Sequence, residues 1–276
     1  MPQPYIELRE RRELGTIISD SFTFIRINRR LLWNVLIKTS GVFFLLSVAL
    51  AGLYQYMNAS SWMVSDPLTL LLVVFLLMFS SILFYSSIAA AIYSFMQYYI
   101  DTKGDVQEEV VIQEARSKIG HVIVLSIISA FIMFFALILF IIPGIYVAIP
   151  LALVLPVFCF RKIGIMESIQ AAFKLVSGYW WITFGTLLVV YIVFMVISFV
   201  FQLPSTIYLG VKTFFSATGG NGELSGDFIY LILATVSSAS SNLLSVIVVI
   251  CIGLIYLDLD EEKNRTGIKA KLEELG

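Results

Sequence analysis

Six long runs of apolar residues alternate along the chain with short polar stretches. Five of them reach the roughly 20 residues that a helix needs to cross a hydrocarbon core of about 30 Å. The fourth is shorter, and Pro150 and Pro156 interrupt it. The pattern predicts six transmembrane helices, over residues 31–57, 68–100, 119–142, 144–160, 179–202 and 228–257.

The third and fourth runs are separated only by Pro143 and Gly144. Proline removes a backbone donor and glycine is conformationally permissive, so together they break a helix. We therefore expect a tight turn at this dipeptide between two antiparallel spans.

Two polar connectors have apolar side chains at helical spacing. Residues 7–29 contain such a stripe, which includes Phe22, with Arg26 elsewhere around the helix. Residues 165–176 repeat the pattern 151 positions later, with Phe173 matching Phe22 and Lys174 on the polar face. We expect two interfacial helices whose phenylalanines point into the bilayer or the helix bundle, while Arg26 and Lys174 face headgroups or cytoplasm.

A third and weaker stripe covers residues 105–118. One interpretation is a threefold repeat, in which each unit is an interfacial helix followed by a hairpin of two spans. The other is that any connector lying beside a bilayer becomes amphipathic. The sequence leaves both open.

The predicted fold class is all-α, a polytopic membrane protein with six transmembrane helices and additional interfacial amphipathic helices. The predicted domains are a cytoplasmic or interfacial amphipathic helix over residues 1–30, the six-span domain over residues 31–257 and a cytoplasmic tail over residues 258–276. The composition supports a membrane protein, since 59% of the 276 residues are hydrophobic and 13% are charged. In soluble domains about 45–50% of residues are apolar and about 25% are charged.

Charge distribution predicts the orientation. Of the 18 basic residues, all but Lys212 fall on one side of the predicted spans. The positive-inside rule then places both termini in the cytoplasm, in a bacterial cytoplasmic membrane. About 30 mostly polar residues precede the first run, so we expect no signal peptide. The net charge of -1 offers no field for nucleic acid, and the expected partners are the lipid bilayer and a protein partner or a second copy.

Residues for chemistry are sparse. The chain has one histidine, His121, and no ionisable residue lies centrally in a predicted span. Proton-coupled pumps and membrane enzymes need such groups, and a metal site needs several ligands. We therefore expect no catalytic residue, no metal site and no cofactor.

Neutral polar residues occur within the second and sixth spans, including Ser240 and Asn242 in the stretch 235–242. Close helix packing is one explanation, because small residues let backbones approach and hydroxyls bond across the interface. The other is a polar cavity lined by these side chains and by backbone carbonyls freed at Pro150 and Pro156.

The segment from Ile141 to Val189 resembles the core of a membrane domain found in some glycerophosphoryl diester phosphodiesterases and in many uncharacterised bacterial membrane proteins. The shared features are Pro143 and Gly144 opening a span, Pro156 near its end, the amphipathic connector and a Ser-Gly-Tyr-Trp-Trp stretch at 177–181. The resemblance implies a six-span membrane fold. It transfers no catalytic residue, since the soluble phosphodiesterase barrel has no counterpart here.

The sequence is compatible with two functions. The first is a non-enzymatic scaffold or assembly partner in a bacterial membrane complex. The second is a transporter or lipid-handling protein with a cavity near the proline-interrupted fourth span.

Overall fold

A computed structural model describes residues 5–59, 67–218 and 227–265, and within these ranges the chain forms eight helices and no strand. The part of the predicted tail beyond residue 265 lies outside the described residues. The helices are α1 (Leu14–Ala59), α2 (Pro67–Asp101), α3 (Glu108–Leu139), α4 (Ile141–Ala152), α5 (Val154–Arg161), α6 (Ile165–Val176), α7 (Trp180–Ala217) and α8 (Phe228–Asn264).

Six helical segments are long and apolar enough to cross a membrane, with α4 and α5 together counting as one of 21 residues. The prediction of an all-α protein with six spans is therefore confirmed. The protein is an integral, multi-pass membrane protein whose apolar helices contact lipid. The spanning segments are Leu14–Met57, Pro67–Asp101, Glu108–Leu139, Ile141–Arg161, Trp180–Ala217 and Phe228–Asn264.

The chain divides into two compact units. Unit 1 contains Met1–Ser40, Tyr85–Tyr191 and Val246–Gly276, and unit 2 contains Gly41–Phe84 and Ile192–Ser245. The domain boundaries predicted after residues 30 and 257 both fall inside continuous helices, α1 and α8. A helix continues wherever its backbone hydrogen bonds do, so a change from polar to apolar sequence need not end it.

In unit 1, the buried aromatic residue of α1 is Phe24 rather than Phe22. Phe24 is fully buried and packs edge-on against Phe95 and Tyr99 of α2, at ring-centre distances of 5.9 and 5.3 Å. Phe22 is 44% exposed, on the same side of α1 as Arg26. Positions 22 and 24 are about 200° apart around a helix, so only one of them can face the core.

The segment before α1 packs onto unit 1 through Tyr5 and Arg12. Tyr5 stacks on Tyr99 at 5.2 Å, and the N–H of Ile6 donates to the Tyr99 hydroxyl at 2.9 Å. The Arg12 guanidinium is buried, donates to the carbonyl of Leu8 at 2.8 Å and pairs with Asp20 at 2.9 Å. Its backbone N–H donates to Asp258 of α8 at 2.7 Å, which joins both ends of the described chain.

The turn between α3 and α4 lies at Phe140, not at Pro143 and Gly144. Phe140 is extended, and Pro143 is the third residue of α4. Proline fits there because the first N–H groups of a helix have no intrahelical partner. Gly144 instead allows close packing, since a Cβ at this position would lie 2.5 Å from Cδ2 of Leu137 in α3.

The other prolines of this hairpin also sit near helix ends. Pro150 lies in the last turn of α4 and Pro156 in the first turn of α5, with Leu153 between the two helices. Both prolines are buried in unit 1. Pro150 has no N–H to donate to the carbonyl of Tyr146, and this carbonyl accepts from the indole of Trp180 instead, at 3.1 Å.

The three amphipathic stretches take different forms. Residues 165–176 make a separate helix, α6, with Phe173 half-buried and Lys174 exposed. The N-terminal stretch is continuous with the first span in α1, and most of the stretch 105–118 is continuous with α3. The sequence similarity between the first two stretches is thus not accompanied by the same helix boundaries.

Candidate functional site

A polar cavity of about 380 Å³ lies within unit 2, among the unit 2 parts of α1, α7 and α8. Nine of its eleven lining residues have a side chain that can form hydrogen bonds, and the other two are Leu209 and Ala234. Along α8 the lining extends from Tyr230 to Asn242, about 18 Å at the rise of an α-helix. The volume falls within the range of about 300–1,000 Å³ that is typical of small-molecule sites.

Helical spacing places the polar residues of α8 and α7 toward this cavity. On α8, Ser237, Ser238, Ser241 and Asn242 line it, at spacings that share one helix face. On α7, the lining positions are 202, 205, 206 and 209, which also share one face. Ser240 points elsewhere on α8 and is not among the lining residues.

The serine and threonine hydroxyls of the cavity are used as donors to backbone carbonyls. Ser237 donates to Leu233 at 2.8 Å and also lies 3.1 Å from the carbonyl of Phe201 on α7. Ser241 donates to Ser237 at 3.1 Å, and Thr206 donates to Gln202 at 3.0 Å. A hydroxyl has one proton and two lone pairs. These oxygens therefore present mainly acceptor capacity to the cavity.

Three carboxamides supply the remaining polarity. Asn242 donates to the hydroxyl of Ser47 on α1 at 3.1 Å, and Gln55 accepts from the hydroxyl of Tyr230 at 3.5 Å. The Gln202 side chain makes no hydrogen bond to any residue that the structure describes, although it lies in a spanning helix. The Gln202 side chain is exposed, so both its donor and its acceptor are available to a molecule bound in the cavity.

Pro204 adds a freed carbonyl next to these side chains. It lies inside α7 and has no N–H to donate to the carbonyl of Val200, four residues earlier. The apolar pattern predicts a fifth span that ends at residue 202, which leaves Ser205 and Thr206 outside it. In the structure α7 continues through Pro204 to Ala217. This part of the site could have been predicted from the polar residues at positions 202, 205 and 206, which flank a proline inside the helix.

No charged residue lines the cavity, but an ion pair lies beside it. Lys212 of α7 contacts Asp227 at 2.8 Å, and the Tyr208 hydroxyl donates to the same carboxylate at 2.9 Å. Asp227 also accepts the backbone N–H of Tyr230, at 3.2 Å, and so caps the start of α8. The hydrogen bond from Lys212, followed by those from Tyr230 and Tyr208, lowers the pKa of Asp227 to about 2.

Of the residues proposed for a cavity from sequence, Asn242 lines this one. Ser240 instead donates to the carbonyl of Val236 on its own helix, at 2.9 Å. Pro143, Gly144, Pro150 and Pro156 belong to unit 1 and do not line it. In the second span, Ser86 donates to Ser126 of α3 at 2.8 Å, which is the close packing expected of small residues.

Comparisons of the chain with models of protein families, with curated proteins and with solved structures gave no match.

Proposed function

We propose that this membrane protein is a non-enzymatic transporter or lipid-handling protein that binds an uncharged, hydroxyl-bearing molecule in the unit 2 cavity. The observation that carries the proposal is the cavity of about 380 Å³, which is lined almost entirely by side chains that form hydrogen bonds, including the exposed carboxamide of Gln202. Either a free polyol or the neutral headgroup of a lipid has the required chemistry.

The balance of donors and acceptors favours that ligand class. The hydroxyl oxygens of Ser237, Ser241 and Thr206 can accept hydrogen bonds, because their protons are donated to the backbone. A ligand with hydroxyl groups can donate to them and accept from Gln202. An ionic ligand would need a charge partner in a desolvated site, and the lining offers none.

The cellular setting belongs to the same proposal. Among the described residues, unit 2 carries Lys212 and Asp227 as its charged residues, and these neutralise each other. Unit 1 carries the other described basic residues. This distribution supports a bacterial cytoplasmic membrane with the charged end of unit 1 in the cytoplasm.

Cysteine accessibility tests the cavity directly. Cys159 and Cys251 are replaced by alanine, and Ser241→Cys is compared with Ser240→Cys, which differs by one position but does not line the cavity. A membrane-impermeant thiol reagent added from outside should label position 241 at least about tenfold faster than position 240. Glycerol, glucose and a monoglycosyl lipid, tested separately, should include one that protects position 241. Equal labelling, or labelling that none of the three slows, would overturn the proposal.

A scaffold or assembly role is the second candidate, and the exposure of Gln202 and Thr206 favours it. Polar side chains on a spanning helix can bond to a helix of a neighbouring subunit. Gln202→Cys should then form an oxidative crosslink to a second copy or to a co-purified protein, whereas Ile207→Cys, exposed on another side of α7, should not. A chain that remains uncrosslinked at both positions in gently solubilised membranes would contradict this role.

A further inference from the structure

Three arginines of α1 form an exposed basic patch in unit 1. Arg26, Arg29 and Arg30 are all exposed, and their spacing places them on one helix face, with neighbouring Cβ atoms about 5–6 Å apart. None of the three forms a hydrogen bond or an ion pair with a described residue. The two carboxylate oxygens of Glu108 bind Asn34 and Lys38, at 3.1 and 2.6 Å, and make no direct contact with the patch.

Four other arginines of the same unit have a direct partner. Arg11 contacts Glu262 at 2.5 Å and Arg12 contacts Asp20 at 2.9 Å. Arg161 contacts Asp260 at 2.8 Å, and Arg116 donates to the carbonyl of Lys38 at 3.0 Å. The patch formed by Arg26, Arg29 and Arg30 is therefore a concentration of positive charge whose guanidinium groups have no direct partner among the described residues.

The residues that follow on this face of α1 indicate what the patch contacts. One turn beyond the arginines lies Trp33, 39% exposed, and one turn further lies Ile37, 67% exposed. The order of cationic, indole and aliphatic side chains along one face matches the order of headgroup, interface and hydrocarbon in a bilayer. A water-soluble acidic partner would account for the arginines but not for Ile37.

We infer that Arg26, Arg29 and Arg30, together with Trp33, bind the anionic headgroup of a membrane phospholipid. The guanidinium groups offer planar pairs of N–H donors that match phosphate oxygens, and the indole of Trp33 lies at the level of the glycerol backbone. The site fixes the depth of α1 in the membrane by holding the patch at the level of the headgroups.

Fluorescence quenching of Trp33 by brominated lipids tests the site. The full chain, with its other three tryptophans replaced by phenylalanine, is reconstituted in vesicles of phosphatidylcholine that contain brominated phosphatidylglycerol or brominated phosphatidylcholine at equal mole fraction. We expect quenching to show that phosphatidylglycerol binds next to Trp33 at least about fivefold more strongly than phosphatidylcholine. One basic residue near an anionic surface contributes about this factor. High salt should reduce this preference.

Two variants of equal charge change separate the site from a general surface effect. R26Q/R29Q/R30Q should lower the preference to near one while quenching by brominated phosphatidylcholine persists. R11Q/K162Q/K174Q removes three exposed charges elsewhere in unit 1 and should retain the preference. Inorganic phosphate at 10 mM should not displace the lipid. A preference near one in the parent, its loss in both variants, its loss in added phosphate, or the absence of quenching by either lipid would overturn the inference.

Discussion

Lys212 Nζ lies 2.8 Å from Asp227 Oδ2, which joins α7 to the first turn of α8. The same carboxylate accepts from Tyr208 and from the backbone of Tyr230, a residue that also lines the cavity. One side chain thus neutralises a lysine, caps a helix and holds a cavity residue in place. The arrangement explains how a lysine is accommodated in a unit whose other described residues are uncharged.

Acid should weaken this link. The pKa of Asp227 is lowered to about 2 from an ordinary value of 3.8, so the folded state favours the carboxylate. Its stabilising contribution is complete above pH 3.8 and is lost as the pH falls toward 2. The difference in melting temperature between the parent and Asp227→Asn should therefore be constant from pH 7 to 5 and shrink below pH 4. A difference that stayed constant down to pH 2 would contradict the pairing.

Replacing the buried Arg12 by alanine should cost about 3–5 kcal/mol in the free energy of unfolding, because it leaves Asp20 and the carbonyl of Leu8 without their partner. Arg11 is the matched control, since its side chain is 73% exposed and its pair with Glu262 is screened by solvent. Arg11→Ala should cost at most about 1 kcal/mol. Titration with a denaturing detergent measures the free energy of unfolding of both variants. A similar loss in Arg11→Ala and Arg12→Ala would contradict the prediction.

Gly144→Ala should destabilise the α3–α4 hairpin by about 1–3 kcal/mol, because the added Cβ would overlap the side chain of Leu137. Gly120 of α3 has open space at the same position, so Gly120→Ala should stabilise the helix by about 0.5–1 kcal/mol. Leu137→Ala should relieve the effect of Gly144→Ala. If the penalty persisted in that double variant, Gly144 would serve a purpose other than close packing.

The two phenylalanines at the start of α1 should respond differently to truncation. Phe24→Ala removes a fully buried ring that contacts Phe95 and Tyr99, and it should cost about 3–5 kcal/mol. Phe22→Ala should cost within about 0.5 kcal/mol in detergent, since the ring is 44% exposed. Equal losses in thermal stability would show that Phe22 also packs against the core.

Helix ends were harder to predict from sequence than helices. Pro143 and Pro156 suggested breaks in the sequence, yet each lies inside a helix of the structure, as does Pro204. Pro143 and Pro156 are in first turns, where no donor is needed, whereas Pro204 lies in the interior of α7. A span can tolerate the missing donor where a polar group of a neighbouring helix lies close to the carbonyls around the proline, as Ser237 Oγ does at 3.1 Å from the carbonyl of Phe201.

The sequence by itself determined that this is a helical membrane protein with six spans, because the length of an apolar run is a local property that the bilayer tests directly. It also identified Asn242 as a polar residue of interest within the sixth span. Only the tertiary structure decided that Phe24 rather than Phe22 is buried and that Gln55, Gln202 and Asn242 line one cavity. These residues lie far apart in sequence on three helices, and which helix faces meet depends on packing among spans that look equally apolar.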